Sequence, residues 1–169
     1  MPNCGTLVLA LGTAGLVLSA VAQAAPVSRA DRQFMDTVAA MDMTGAHEGR
    51  LAQDKGANAE VKDFARMLVK DDSESFGHLE EVAAKAGVTI PRGIDTARIP
   101  EIRTLENMNG GRFDRQFSRD QVSAQERALA IFRHEARYGE NSDVKAYATS
   151  MIPVLDNDLK RARQIAAAK

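Results

Sequence analysis

Residues 56–87 read GANAEVKDFARMLVKDDSESFGHLEEVAAKAG. Val61, Ala65, Leu68, Phe76, Leu79, Val82 and Ala86 recur at three-and-four spacing, the period of an amphipathic helix. Asn58 stands where an N-cap belongs, and Gly87 ends the pattern. Upstream, Ser28 with Asp31 three residues on predicts a capping box that opens a first helix running to Lys55, closed by Gly56. The turn between these two helices is too short for anything but antiparallel neighbours.

Downstream, the segment 88–111 carries Pro91, Gly93, Pro100, Gly110 and Gly111, with one helical turn expected near Glu101 to Asn107. Its length suits a crossover along a bundle, and ferritin-like bundles contain one such connection. A third helix is predicted from Arg112 to Tyr138, closed by Gly139. Asn141 or Ser142 caps a fourth that continues to Ala167, with a kink expected at Pro153. No long internal repeat is visible. The expected fold is all-α: an antiparallel four-helix bundle, ferritin-like, with one long crossover between helices 2 and 3.

Composition agrees. The 169 residues include no Trp and few aromatics, with abundant Ala and sparse β-branched residues. Lys and Arg total 22 against 23 Asp and Glu, and the signs alternate along the chain, which argues against nucleic acid or an anionic membrane as the main partner.

The amino terminus reads as a secretory leader. Leu7 to Ala22 is the uncharged run LVLALGTAGLVLSAVA, followed by Ala22-Gln23-Ala24, a small-x-small cleavage pattern. Cleavage after Ala24 makes residues 1–24 a signal peptide and residues 25–169 one domain, large enough to bury roughly two-thirds of its unfolded surface. No Lys or Arg precedes Arg29, a departure from the usual leader, and an uncleaved membrane helix is the competing reading. Gly12, Thr13, Gly15 and Ser19 dilute the run, so no transmembrane segment is expected after signal removal. The expected location is the periplasm, with outer-membrane association as a variant. Cys4, the single cysteine, lies inside the leader and has only three residues before it, which excludes a disulfide and disfavours a lipid anchor.

What interrupts the apolar stripes carries the functional reading. Glu48, Asp72, Gln125 and Asp158 each occupy an expected core position, one per helix. At about 1.5 Å per residue their heights fall within roughly 10 Å, which suggests a mid-bundle polar layer. Buried carboxylates need hydrogen bonds, cations, protons or metal. Three carboxylates and an amide form a hard oxygen set suited to Mg, Ca or Mn. The competing account is structural, with Arg66, Arg119 or Arg161 neutralising the charge. Glu-x-x-His pairs are absent, which argues against oxygen-activating chemistry, and no nucleophile triad, phosphate loop or zinc spacing occurs. Met41, Met43 and His47, with Met35 and Met67, invite a copper reading, but methionines on an apolar face are chiefly core filler. His78 and His134 read as surface residues in local ion pairs.

GRLAQDKGANAEVKDFARMLVKDD at 49–72, GVTIP at 87–91, FDRQFSRDQVSAQERALAIFRHEA at 113–136 and VKAYATSMIPVLDNDLKRA at 144–162 together resemble the exported ferritin-like family known as domain of unknown function 4142. The resemblance implies His at the positions of Asp72, Gln125 and Asp158, and acidic residues at those of Gly45 and His47. This chain departs at each, so a metal site implied by the resemblance would have exchanged imidazole for oxygen. The expected function is a non-enzymatic envelope or stress-related binding or scaffold protein, with no cofactor and with an unknown protein partner or self-association. The alternative is a divalent-metal-binding protein that uses the carboxylate layer.

Overall fold

The computed structural model describes residues 27–168. The expected leader and its Ala22-Gln23-Ala24 site lie outside these residues. Among the described residues the chain is all-α: α1 (Arg29–Lys55), α2 (Ala59–Lys85), α3 (Ile99–Glu106), α4 (Gly110–Tyr138) and α5 (Ser142–Ala167), with a 3-10 turn at Thr96–Arg98 before α3. None of these helices is long and apolar enough to cross a membrane.

Local chemistry sets the boundaries. The Ser28 hydroxyl accepts from the Asp31 backbone N–H while the Asp31 carboxylate accepts from that of Ser28, which completes the capping box. Asn58 caps α2 and Asn141 caps α5. The expected single turn in the crossover is the full helix α3, started by Pro100 in its first turn. α5 continues through Pro153.

Two core clusters stack along the helices. One joins Phe34, Met35 and Val38 of α1 to Leu79 and Val82 of α2, Leu129 and Phe132 of α4, and Val144 and Tyr147 of α5. The other joins Ala52, the Val61–Leu68 face of α2, Leu105 of α3, Phe113 and Phe117 of α4, and Ala162 and Ile165 of α5. The first halves of α1 and α5 thus meet the second halves of α2 and α4. Helix α1 packs on α2 and α4, and α5 on the same two.

The structure also reveals a repeat that the sequence reading missed. RADRQF at 29–34 returns as RFDRQF at 112–117, and GANAEVK at 56–62 as GENSDVK at 139–145, each 83 residues later. The shift carries α1–α2 onto α4–α5 and exchanges the two core clusters. It also carries one contact onto another. Asp31 accepts from the backbone N–H of Glu140 at 3.0 Å and Asn141 at 3.1 Å, and Asp114 accepts from that of Ala57 at 3.1 Å and Asn58 at 3.0 Å. Each helical hairpin clasps the loop of the other, the reciprocal pairing of a two-fold relation.

Candidate functional site

Between the clusters lies a cavity of about 470 Å³, with Asp42, Gly45, Glu48, Asp72, Gln121 and Gln125 on its polar side and Leu68, Phe132 and Leu155 among its apolar wall. Of the four residues expected in a polar layer, Glu48, Asp72 and Gln125 line it; Asp158 does not.

Glu48 is 1% exposed, and both its oxygens are in use: Arg98 Nη2 lies 3.0 Å from Oε1, and the Gln121 side-chain amide donates to Oε2 at 2.8 Å. Burial raises its carboxyl above the ordinary range and the Arg98 charge opposes that. The cation here comes from the crossover. Arg66, expected as a neutralising partner, pairs with Asp63, and Arg119 with Gln116. The crossover is held over α1 by a second bond, in which the Asp95 N–H donates to Thr44 Oγ1 at 2.8 Å.

Asp72 comes from α2, and its carboxyl occupies the space left by Gly45 of α1: a methyl group at Gly45 would fall on Oδ2 of Asp72. Although Asp72 as a whole is only half-buried, its Oδ2 is enclosed and has no hydrogen-bond partner. Burial pushes this carboxyl well above its ordinary range, and the charges of Asp42 and Asp158 push the same way.

Asp42 is the site residue that sequence reasoning missed. It is 7% exposed, it lines the cavity, and its Oδ2 has no partner. Burial lifts its carboxyl to about 8, opposed by a hydrogen bond from Ser75. The Ser75 hydroxyl lies 2.7 Å from the buried Tyr147 hydroxyl, which burial and the Asp42 charge keep protonated. The available signal was spacing: Asp42 follows Val38 by four residues and precedes Gly45 by three.

Gln125 Oε1 is likewise buried without a partner. Asp158, 2% exposed, also holds one unpartnered oxygen, and burial, helped by Asp71, lifts it to about 7. Among the described residues, no three His, Cys, Asp or Glu side chains form a group able to hold a metal ion by themselves. The unpartnered oxygens on the cavity lining are therefore those of two carboxylates and one amide.

Of the softer candidates, Met41 alone lines the cavity. Met35 is fully buried in the first core cluster and Met41 packs against it. His47 lies 3.9 Å from a Glu106 oxygen. His78 and His134, expected in ion pairs, instead face the rings of Tyr147 at 5.5 Å and Tyr138 at 4.9 Å.

Comparison with solved structures finds a fragment of DUF305 from Deinococcus radiodurans, with a TM-score of 0.76 at 12% identity over 86% of this chain and 100% of that one. CopM in its Cu(II)-bound form is similar with a TM-score of 0.67 at 15% identity, over 80% of this chain and 95% of that one. CopM in its Cu(I)-bound form gives 0.67 at 16% identity, over 79% and 93%. These identities show a shared fold alone. No curated protein matches. The profile described as Domain of unknown function (DUF4142) matches residues 17–165, a span that runs from before α1 to within two residues of the end of α5, and the chain belongs to that family.

Proposed function

We propose that this is an exported, periplasmic, non-enzymatic protein that binds one hard divalent cation inside a ferritin-like antiparallel four-helix bundle. The observation that carries the reading is the set of unpartnered oxygens at the cavity, Asp42 Oδ2, Asp72 Oδ2 and Gln125 Oε1. A buried polar oxygen without a partner costs about 1 to 3 kcal/mol, and more when charged, so three at one cavity call for a cationic or proton-bearing partner. Two carboxylates with an amide oxygen and water suit Mg²⁺ or Mn²⁺, which keep several waters when bound. Glu48 and Asp158 remain outside the ligand set. Arg98 already neutralises the former, and the latter adds negative potential from α5.

The CopM forms named above are copper complexes. The donors at this cavity do not fit copper, because they are oxygens with Met41 as the single thioether beside them. The pairing of helix halves and the two loop clasps support the antiparallel arrangement, with segment 86–109 running back along the bundle as its long crossover. Export rests on the leader, and a mature protein that begins at Ala25 is expected by intact mass.

The test is thermal unfolding of the mature chain with Mg²⁺, Mn²⁺, Ca²⁺ or chelator. Ligand that binds only the folded state raises stability by mass action. A shift that disappears in Asp42→Asn, Asp72→Asn protein is the expected result. Identical melting with metal and with chelator would return the chain to the scaffold reading, in which the carboxyls simply hold their protons.

A further inference from the structure

The 83-residue repeat sets the two sides of the cavity against each other. Asp31 corresponds to Asp114, Gly56 to Gly139, Asn58 to Asn141 and Val61 to Val144, so the two hairpins agree at their ends. They disagree at the centre. Asp42 corresponds to Gln125, Gly45 to Ala128, Asp72 to Leu155 and Ser75 to Asp158.

These differences are coordinated. On the α1–α2 side, Gly45 lacks the methyl that would collide with Oδ2 of Asp72, and that vacancy admits the carboxyl. On the α4–α5 side, Ala128 supplies the methyl, and the position equivalent to Asp72 is the apolar Leu155. Ala128 and Leu155 both line the same cavity, and both are buried. One side thus pairs a missing methyl with a carboxylate, and the other a methyl with a branched aliphatic chain. Asp42 and Gln125 correspond to one another, so at this pair of equivalent positions each hairpin brings a buried, unpartnered oxygen to the cavity lining.

We propose that the cavity is a one-sided version of a two-fold-symmetric cation site: Gly45 and Asp72 create a single divalent-cation position, and Ala128 and Leu155 close the equivalent second one. This rests on the cation-binding reading above and adds which pair of residues sets the number of ions. Asp42 and Gln125 face both positions, and the Gly-Asp or Ala-Leu pair decides which of the two is usable.

The experiment counts Mn²⁺ bound per mature chain by equilibrium dialysis, with free Mn²⁺ read by electron paramagnetic resonance. Wild type is expected to bind one ion. Gly45→Ala, Asp72→Leu protein copies the arrangement that the α4–α5 side already accommodates, so it should fold cooperatively and lose the bound Mn²⁺. Ala128→Gly, Leu155→Asp protein should gain a second ion. If wild type binds no Mn²⁺, the cation-binding reading itself fails. If wild type binds one ion and the folded Gly45→Ala, Asp72→Leu variant still binds it, the present inference falls together with the assignment of Asp72 as a ligand, while cation binding as such stands. Two ions on wild type, or one on a folded Ala128→Gly, Leu155→Asp variant, also overturns it. Should that last variant fail to fold, the Gly45→Ala, Asp72→Leu comparison decides by itself.

Discussion

The Asp31 clasp at one end of the bundle makes stability fall as pH rises, through Glu135. Glu135 of α4 is 4% exposed and shares a hydrogen bond with Asp31 of α1. Asp31 also accepts the N–H groups of Ser28, Glu140 and Asn141; burial would raise its carboxyl, but these bonds outweigh burial and hold it below the ordinary range. Glu135 therefore keeps the proton. Burial, the Asp31 bond and the Asp31 charge lift it from 4.5 to about 7, and Lys145 of α5 pulls the other way. The folded state thus binds more protons than the unfolded chain between these two values. The associated stability is present below the lower one and is lost as pH climbs to the upper. At about 1.4 kcal/mol per unit the full shift would give roughly 3 kcal/mol, and water near the bundle end reduces this to about 1 to 2 kcal/mol.

Glu135→Gln places a permanent N–H donor against Asp31. Urea unfolding followed by far-UV circular dichroism, at about pH 5 and about pH 8 with chelator present, should show wild type losing about 1 to 2 kcal/mol more than the variant across that interval. The carboxyls around the cavity titrate in the same range, but they do so in both proteins and cancel in the comparison. Parallel pH profiles, or a steeper one for the variant, would refute the argument.

Leu68, fully buried beside the cavity, should cost about 2 to 5 kcal/mol on substitution by Ala, measured by denaturant unfolding, and a loss below about 0.5 kcal/mol would mean it is not core. Asp114→Ala removes the acceptor for two backbone N–H groups and should cost about 2 to 4 kcal/mol. Hydrogen exchange should then quicken at Ala57 and Asn58 while Glu140 and Asn141 stay protected; equal acceleration at both loops would contradict separate clasps.

Helix ends were legible because their causes are local. Ser28 with Asp31, Asn58 and Asn141 act within their own turns, and each does what its side chain predicts. Asp42 was missed although its spacing from Val38 was available, because the buried face of α1 is wide enough to take in Asp42 and Gly49 as well as Val38 and Glu48. Glu48, Gln125 and Asp158 were found from periodicity, and all three are buried. Arg98 escaped because its role depends on where a crossover lands. Nothing in the spacing of residues 88–111 says which turn will lie over Glu48.

The repeat escaped for a more instructive reason. Its identities sit at the helix starts and loops, where each hairpin needs a carboxylate to accept the other's loop N–H groups and a glycine where the loop packs tightly. That requirement belongs to the fold, so both halves meet it in the same way. The helix middles face a shared cavity, and two-fold packing there asks only that the summed volume be filled. Val38 can answer to Gln121, and Gly49 to Phe132, without disturbing either cluster. Carboxylates follow a stricter rule, because each buried charge needs a partner. The departure from symmetry at Asp42, Asp72 and Asp158 therefore marks the part of the interior that packing alone does not explain.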